Sequence, residues 1–330
     1  MNDERERVPA VAALPRYRDL PVGLTGARTA WGLFGEHDGL GLISLQTPAR
    51  VARGLSLART GEVFSLSAPP DLFDPPFFGH RGGPRHTVLR RGPQAFDDVL
   101  DGFFPQASSQ WDGLGHVGVS DGVFYSGAKA EQVADGTRNS VDAWAVKGIA
   151  GRGILLDVSG APSLGDPGDR SPLGQSTPIT VEDLERARAR TGLEFETGDI
   201  LLLHTGFVGW YETLSAAERA ELVAGGTRNA GLEHSEQMVE YLWDLHISAL
   251  AVDNVAVEVW PPDRSAAAHP YGFLHQILIG ELGLALGELW RLGDLAASCA
   301  ADGVYECAVI SAPMRGRAGI GSPANALAVK

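Results

Sequence analysis

Residues 180–205 read TVEDLERARARTGLEFETGDILLLHT. Thr180-x-x-Asp183 has the form of a capping box, in which an N-cap hydroxyl and an acid three residues later each take a backbone N–H that the first helical turn leaves free. It predicts a helix over Val181–Thr191. The apolar run at 199–205, entered through Gly198-Asp199, then reads as a short buried strand. A capped helix handing over to a buried strand is the unit of a layered α/β fold.

The same signals recur outward. Apolar runs of strand length stand at 153–158, 247–253 and 305–312, each bounded by Gly, Asp or Pro. Ser215-x-x-Glu218 opens a helix that ends at Gly225-Gly226, and 232–245 carries a stripe at Met238, Leu242 and Leu245. Residues 273–286 read as a further helix, and Thr47-Pro48 supplies an N-cap and a first-turn proline ahead of 49–59. Residues 67–93, broken by Pro69, Pro70, Pro75, Pro76 and Pro84, read as a loop long enough to be functional. Residues 1–28 are polar and punctuated by proline, and are expected as an arm over the domain. Neither a repeat nor a linker divides the remainder, so 29–330 is expected as one domain.

Composition narrows the class. The 330 residues are 44% hydrophobic, enough for a full core, which excludes disorder and disulfide-stapled scaffolds. The net charge of −14 disfavours nucleic acid and anionic membranes. Cys299 and Cys307 form neither a C-x-x-C nor a zinc pattern, which fits a reducing cytoplasm. The start, MNDERERVPAV, lacks the apolar stretch of a signal peptide, and no apolar run is long enough to span a bilayer. A soluble cytoplasmic protein is expected.

The densest polar constellation is SSQWDGLGHVG, residues 108–118. On a strand, Gln110 and Asp112 share a face, and Gly113 and Gly115 let the chain bend so that His116 returns toward them. A carboxylate, an amide oxygen and an imidazole at one point can hold a divalent cation, or hold it and leave His116 as a base. A polar strand end, with Asp112 capping the turn and His116 exposed, is the structural alternative. His275 and Glu288 are further candidates, but on one continuous helix they would stand over three turns apart. A break at Gly280 or Gly283 is needed to bring them together. Asp253, Asn254 and Glu258 form a second acidic patch at a strand end, read as a turn cap rather than a ligand set, with proximity to a site as the alternative. Gly118-x-Ser120-x-Gly122 matches the serine-hydrolase elbow, yet no apolar strand precedes it and no helix start follows. Aromatic residues in the Gly- and Pro-rich stretches, among them Phe77, Phe78, Trp111, Phe207 and Trp260, suit an apolar pocket wall.

These residues resemble the metal-dependent cyclase superfamily, which includes bacterial kynurenine formamidase, isatin hydrolase and a trans-dienelactone hydrolase. The signature of its small members is H-x-G-T-H-x-D-x-P-x-H. Gln106, Gln110, Asp112 and His116 fall at its first His, second His, Asp and last His. His275 and Glu288 resemble its downstream His…Glu pair. The segments SQWDGLGH, LAVDNVAVEVWP, LGELWRL and GSPANALAVK resemble its longer subfamily.

The resemblance implies an α/β fold of the swivelling β/β/α type, with a β-barrel-like mixed sheet core and outer helices. It also implies a homodimer or homotetramer. The implied ligands are Gln110, Asp112, His275 and Glu288, around a single ion because Gln106 and Gln110 replace histidines. Oxygen-rich ligation favours Mn²⁺, with Zn²⁺ possible. His116 takes the place of the catalytic base, and Gln106, Phe77, Phe78, Trp111, Phe207 and Trp260 fall to the pocket. Arg81 and His86 are candidates for a substrate carboxylate. The implied activity is hydrolysis of a cyclic amide, a lactone or a related amide bond in a small apolar or aromatic substrate. The alternatives are a ring-forming cyclase or lyase using the same metal as a Lewis acid, and a non-catalytic binding protein.

Overall fold

A computed structural model, describing residues 14–166 and 168–330, builds the chain around a nine-stranded mixed sheet. In chain order the strands are β1 (Val63–Ser65), β2 (Arg85–Gly92), β3 (Ala95–Asp101), β4 (Gln110–Asp112), β5 (Ile149–Asp157), β6 (Pro178–Ile179) and β7 (Ile200–His204). They continue as β8 (Gly231–Leu232), β9 (Ala249–Val252), β10 (Ala285–Glu288), β11 (Glu306–Ser311), β12 (Gly321–Pro323) and β13 (Ala326–Val329). The sheet order is β1-β13-β11-β5-β7-β9-β10-β4-β12.

Its centre, β5-β7-β9-β10, is parallel, and the strands on either side run antiparallel. Parallel strands are covered on both faces, which is why β7 and β9 read as the unbroken apolar runs ILLL and ALAV. The helix Val181–Thr191 connects β5 to β7, and Glu236–Asp244 lies between β7 and β9. The capping box forms as read: Asp183 Oδ2 accepts from Thr180 N at 3.0 Å, and Thr180 Oγ1 accepts from Asp183 N at 3.3 Å.

The sheet is curled by its last segment. β12 pairs with β4 at one edge; β13 begins three residues after β12 ends and pairs with β11 and β1 near the other. One short stretch therefore draws both ends of the sheet together. Trp111 on β4 and Ser311 on β11 meet across the curl, Nε1 donating to Oγ at 2.8 Å. The result is a half-barrel with helices outside, the expected class.

Four local expectations change. Residues 273–286 do not form one helix: a π-helix, Gln276–Glu281, stops before Gly283, whose φ is +69°, and the chain continues as β10. The proline-rich stretch 67–93 contains β2, which pairs with β3 in a hairpin that sits exposed. The stretch 232–245 begins in β8, and its helix starts only after Ser235, whose side chain accepts from Met238 N. The helix that begins at Pro48 ends at Leu55 rather than Arg59. Of the expected arm, residues 1–13 lie outside the described ones. Within the rest, Tyr17 and Leu20 are buried in the main core, and Tyr17 N donates to Asp244 at 2.8 Å. Among the described residues no helix is long and apolar enough to cross a membrane.

The helix Pro48–Leu55 lies directly on β5. A Cβ on Gly54 would stand 2.2 Å from the Gly151 carbonyl carbon and 2.3 Å from Arg152 N, backbone atoms that cannot swing aside. Gly54→Ala is therefore expected to cost about 1–3 kcal/mol in urea unfolding; a cost below about 0.5 kcal/mol would show that the helix packs otherwise. Beside the start of β7, burial pushes the Asp199 carboxyl up to about 6, against the Glu196 N–H and Arg152, which pull it down. The folded chain then holds that proton more tightly than the unfolded one, so stability falls as pH rises from about 4 to about 6. Asp199→Asn should lose less stability than the parent between these pH values, and equal losses would refute the assignment.

Candidate metal centre

β10 and β4 pair antiparallel with Leu286 opposite Asp112, Gly287 opposite Trp111 and Glu288 opposite Gln110. Side chains alternate along a strand, so Gln110, Asp112 and Glu288 share one face. Trp111 takes the other, where it packs edge-on against Trp290 with centroids 4.8 Å apart. His275 reaches the first face from the residue before the π-helix, and the turn at Gly283 closes the thirteen-residue span to Glu288.

His275 Nε2 lies 3.1 Å from Glu288 Oε1 and 3.8 Å from Asp112 Oδ2. Ligand atoms of Asp112, His275 and Glu288 all fall within 4.8 Å of one another, and all three residues are buried. Gln110 Nε2 donates to Glu288 Oε2 at 2.7 Å, which leaves Gln110 Oε1 without a partner. Among the described residues, neither oxygen of Asp112 has a hydrogen-bond partner. Buried polar atoms normally do, because leaving them bare costs the full loss of hydration.

Charge points the same way. Burial raises the Asp112 pKa, and Glu288 adds to this against His116 and His275. Burial alone would lower that of His275, but its contacts with Glu258 and Glu288 outweigh it and hold the ring proton up to about 10. Two buried carboxylates, Asp112 and Glu288, thus face His275 Nε2, and one divalent cation would offset their charge. The donors available, carboxylate and amide oxygens with one imidazole nitrogen, suit such an ion.

His116 stands at the edge of this group, with Nε2 3.6 Å from Asp112 Oδ1. Its N–H closes a turn onto Gly113 O at 2.9 Å. Burial lowers its pKa; Asp112 opposes this, and His275 and Arg81 add to it. The net effect favours the neutral ring, the form that can accept a proton.

Phe77, Phe78, Arg81 and Gln106 line a small cavity of about 10 Å³ with Val255 and Leu289. Arg81 donates to Gln106 O at 2.9 Å and lies 4.7 Å over the Phe78 ring. Trp260 packs edge-on against Phe78 and Phe273, and Phe273 stacks on the His275 ring at 5.5 Å. Phe207 is fully buried behind Phe77.

Two expected pocket residues lie elsewhere. Trp111 is turned to the inside of the curl by strand alternation. His86 sits on the exposed hairpin, 3.0 Å from Asp98. Ser120 is exposed in a tight turn with Val123, without the helix an elbow requires. Asp253 caps a turn, accepting from Thr205 and Gly206; Glu258 accepts from the Leu274 and His275 backbone N–H groups and in addition contacts His275 Nδ1 at 2.5 Å. Nothing local in the sequence marks that difference.

The chain matches the model of the family described as "Putative cyclase" over residues 72–259. No curated protein matches it. Among solved structures it is similar to a novel cyclase at 29% identity and TM-score 0.78, covering 92% of this chain and 99% of that one. It is also similar to isatin hydrolase A from Ralstonia solanacearum, at 18% identity and TM-score 0.60, covering 86% and 99%. Isatin hydrolase A from Labrenzia aggregata, bound to benzyl benzoate, follows at 17% and 0.57, covering 85% and 97%. The two hydrolases share the fold. With more than half its length matched by the family model and its sheet shared with a solved cyclase, the chain belongs to the cyclase family.

Proposed function

We propose that this protein is a metal-dependent hydrolase that opens a cyclic amide or lactone, or cleaves a related amide bond. The observation that carries the reading is Asp112: a buried carboxylate with both oxygens unpartnered, set between His116 and the His275–Glu288 pair. Asp112, His275 and Glu288 would hold the ion, with Gln110 Oε1 beside them. The donor set favours Mn²⁺ and also admits Zn²⁺. Such an ion, when bound, supplies carbonyl polarisation and makes water a stronger acid.

The chain's own residues supply the rest. His116 Nε2 accepts the proton that water gives up and returns it to the leaving nitrogen or oxygen, so one water is added across the broken bond. Arg81, which lies over Phe78, would pair with the carboxylate that ring opening creates. Phe78 and Trp260, joined to His275 through Phe273, would offer aromatic surface to a ring. The fold relatives named isatin hydrolases make isatin, a cyclic amide, the first substrate to try.

Protein loaded with Mn²⁺ is expected to retain the ion stoichiometrically on desalting, and Asp112→Ala and Glu288→Ala to lose it. Metal analysis of the three proteins decides this; an Asp112→Ala protein that keeps its ion would sink the proposed site. On any cyclic amide or lactone that the parent opens, His116→Ala should keep the ion and lose about 10²–10⁴-fold in kcat. Activity indifferent to both chelation and His116→Ala would refute the mechanism.

A further inference from the structure

Glu258 and Asp112 are both fully buried carboxylates beside His275, yet their surroundings are opposite. Asp112 has no hydrogen-bond partner on either oxygen. Glu258 is taken up on both: Oε1 accepts from His275 N at 2.9 Å and meets His275 Nδ1 at 2.5 Å. Oε2 accepts from Leu274 N at 2.6 Å, and His234 Nε2 lies 2.7 Å from it as a close contact that is not aligned as a hydrogen bond. A carboxylate so occupied has little left to offer a cation, whereas Asp112 has everything to offer.

The backbone under Glu258 is held as firmly as its side chain. Asn254 Oδ1 accepts from Val257 N, and Asn229 Nδ2 donates to Glu258 O. β8 passes so close that a Cβ on Gly231 would stand 2.2 Å from the Glu258 carbonyl carbon. Val257, just before it, is held at φ +54°, a conformation that a β-branched residue adopts only where its surroundings impose it.

We infer that Glu258 is a positioning residue: by accepting the Nδ1–H of His275 it turns the Nε2 lone pair toward Asp112 and Glu288, and His234 steadies its other oxygen from the partly exposed side. This rests on the metal reading above. A ligating histidine generally gives its second ring N–H to a carboxylate or carbonyl, which fixes both tautomer and ring orientation, and loss of that partner weakens metal binding about 10–100-fold. In Glu258→Gln the amide group must turn an N–H₂ toward donors that Glu258 now accepts, so the His275 ring loses its fixed orientation.

The test is Mn²⁺ titration of the full chain, followed by loss of the free-ion EPR signal. Parent, Glu258→Gln, His234→Gln and Asp112→Ala are compared, and thermal unfolding of each metal-free protein monitors the fold. Glu258→Gln is expected to bind about 10–100-fold more weakly and His234→Gln about tenfold, with Asp112→Ala abolishing binding. Co²⁺ bound to His234→Gln should also show shifted visible bands, a change in ligand geometry that a purely structural defect would not produce. Glu258→Gln binding as tightly as the parent, while Asp112→Ala does not bind, would overturn this inference and leave the metal centre standing. If Glu258→Gln fails to fold, His234→Gln decides, and parental affinity and spectrum there overturn it. A parent that binds neither Mn²⁺ nor Zn²⁺ removes the metal reading, and this inference with it.

Discussion

The antiparallel pairing of β4 with β10 is the contact on which the candidate centre depends. It places Gln110 opposite Glu288 and sets Asp112 beside them on one face. A slip of one residue would send both Gln110 and Asp112 to the other side and bring Trp111 to the site. Several features hold the register. Trp290 Nε1 donates to Gln110 O at 2.9 Å, and Trp111 is pinned to Ser311. Gly287 leaves room for the indole that a Cβ, 2.6 Å from Trp290 Nε1, would displace. The apolar face of the curl thus sets the geometry of the polar one.

Burying three carboxylates is costly, and a loose framework would respond by admitting water or swinging the acids outward. Neither route is easy here. Glu288 and Asp112 extend from a sheet whose central strands are covered on both faces, and Glu258 belongs to a turn tied down by two asparagines. The aromatic wall continues this rigidity outward, since Phe273 stacks on His275 and carries Trp260, which in turn packs on Phe78. A cation that binds this arrangement and not the unfolded chain would add to its stability by mass action. Fold and site are in that sense one system.

Elements with local signals were legible. Capped helices such as Val181–Thr191 and apolar strands such as β7 and β9 formed where the sequence placed them, because capping and burial on both faces are written into neighbouring residues. Residues 273–286 misled, since an apolar stretch suits a helix and a buried strand equally, and the turn at Gly283 is visible only in the backbone. The β2–β3 hairpin misled for the opposite reason: with both faces in water it has no apolar alternation to read. For the site, Gln110 and Asp112 could be put on one face by counting; the same alternation turns Trp111, expected in the pocket, to the other face.

By itself, then, the sequence determined an acidic α/β chain with a polar cluster at 108–118 and the means to bend there. It also determined where the helices capped by Thr47, Thr180 and Ser215 begin. The tertiary structure alone decided which acids converge. Asp253 and Glu258 lie five residues apart and are chemically alike, yet one accepts from the Thr205–Gly206 turn and the other from His275. Caps and alternation depend on neighbours along the chain. Convergence depends on strand register and on burial by distant segments, and those are settled only when β4 meets β10 and the curled sheet brings its ends together.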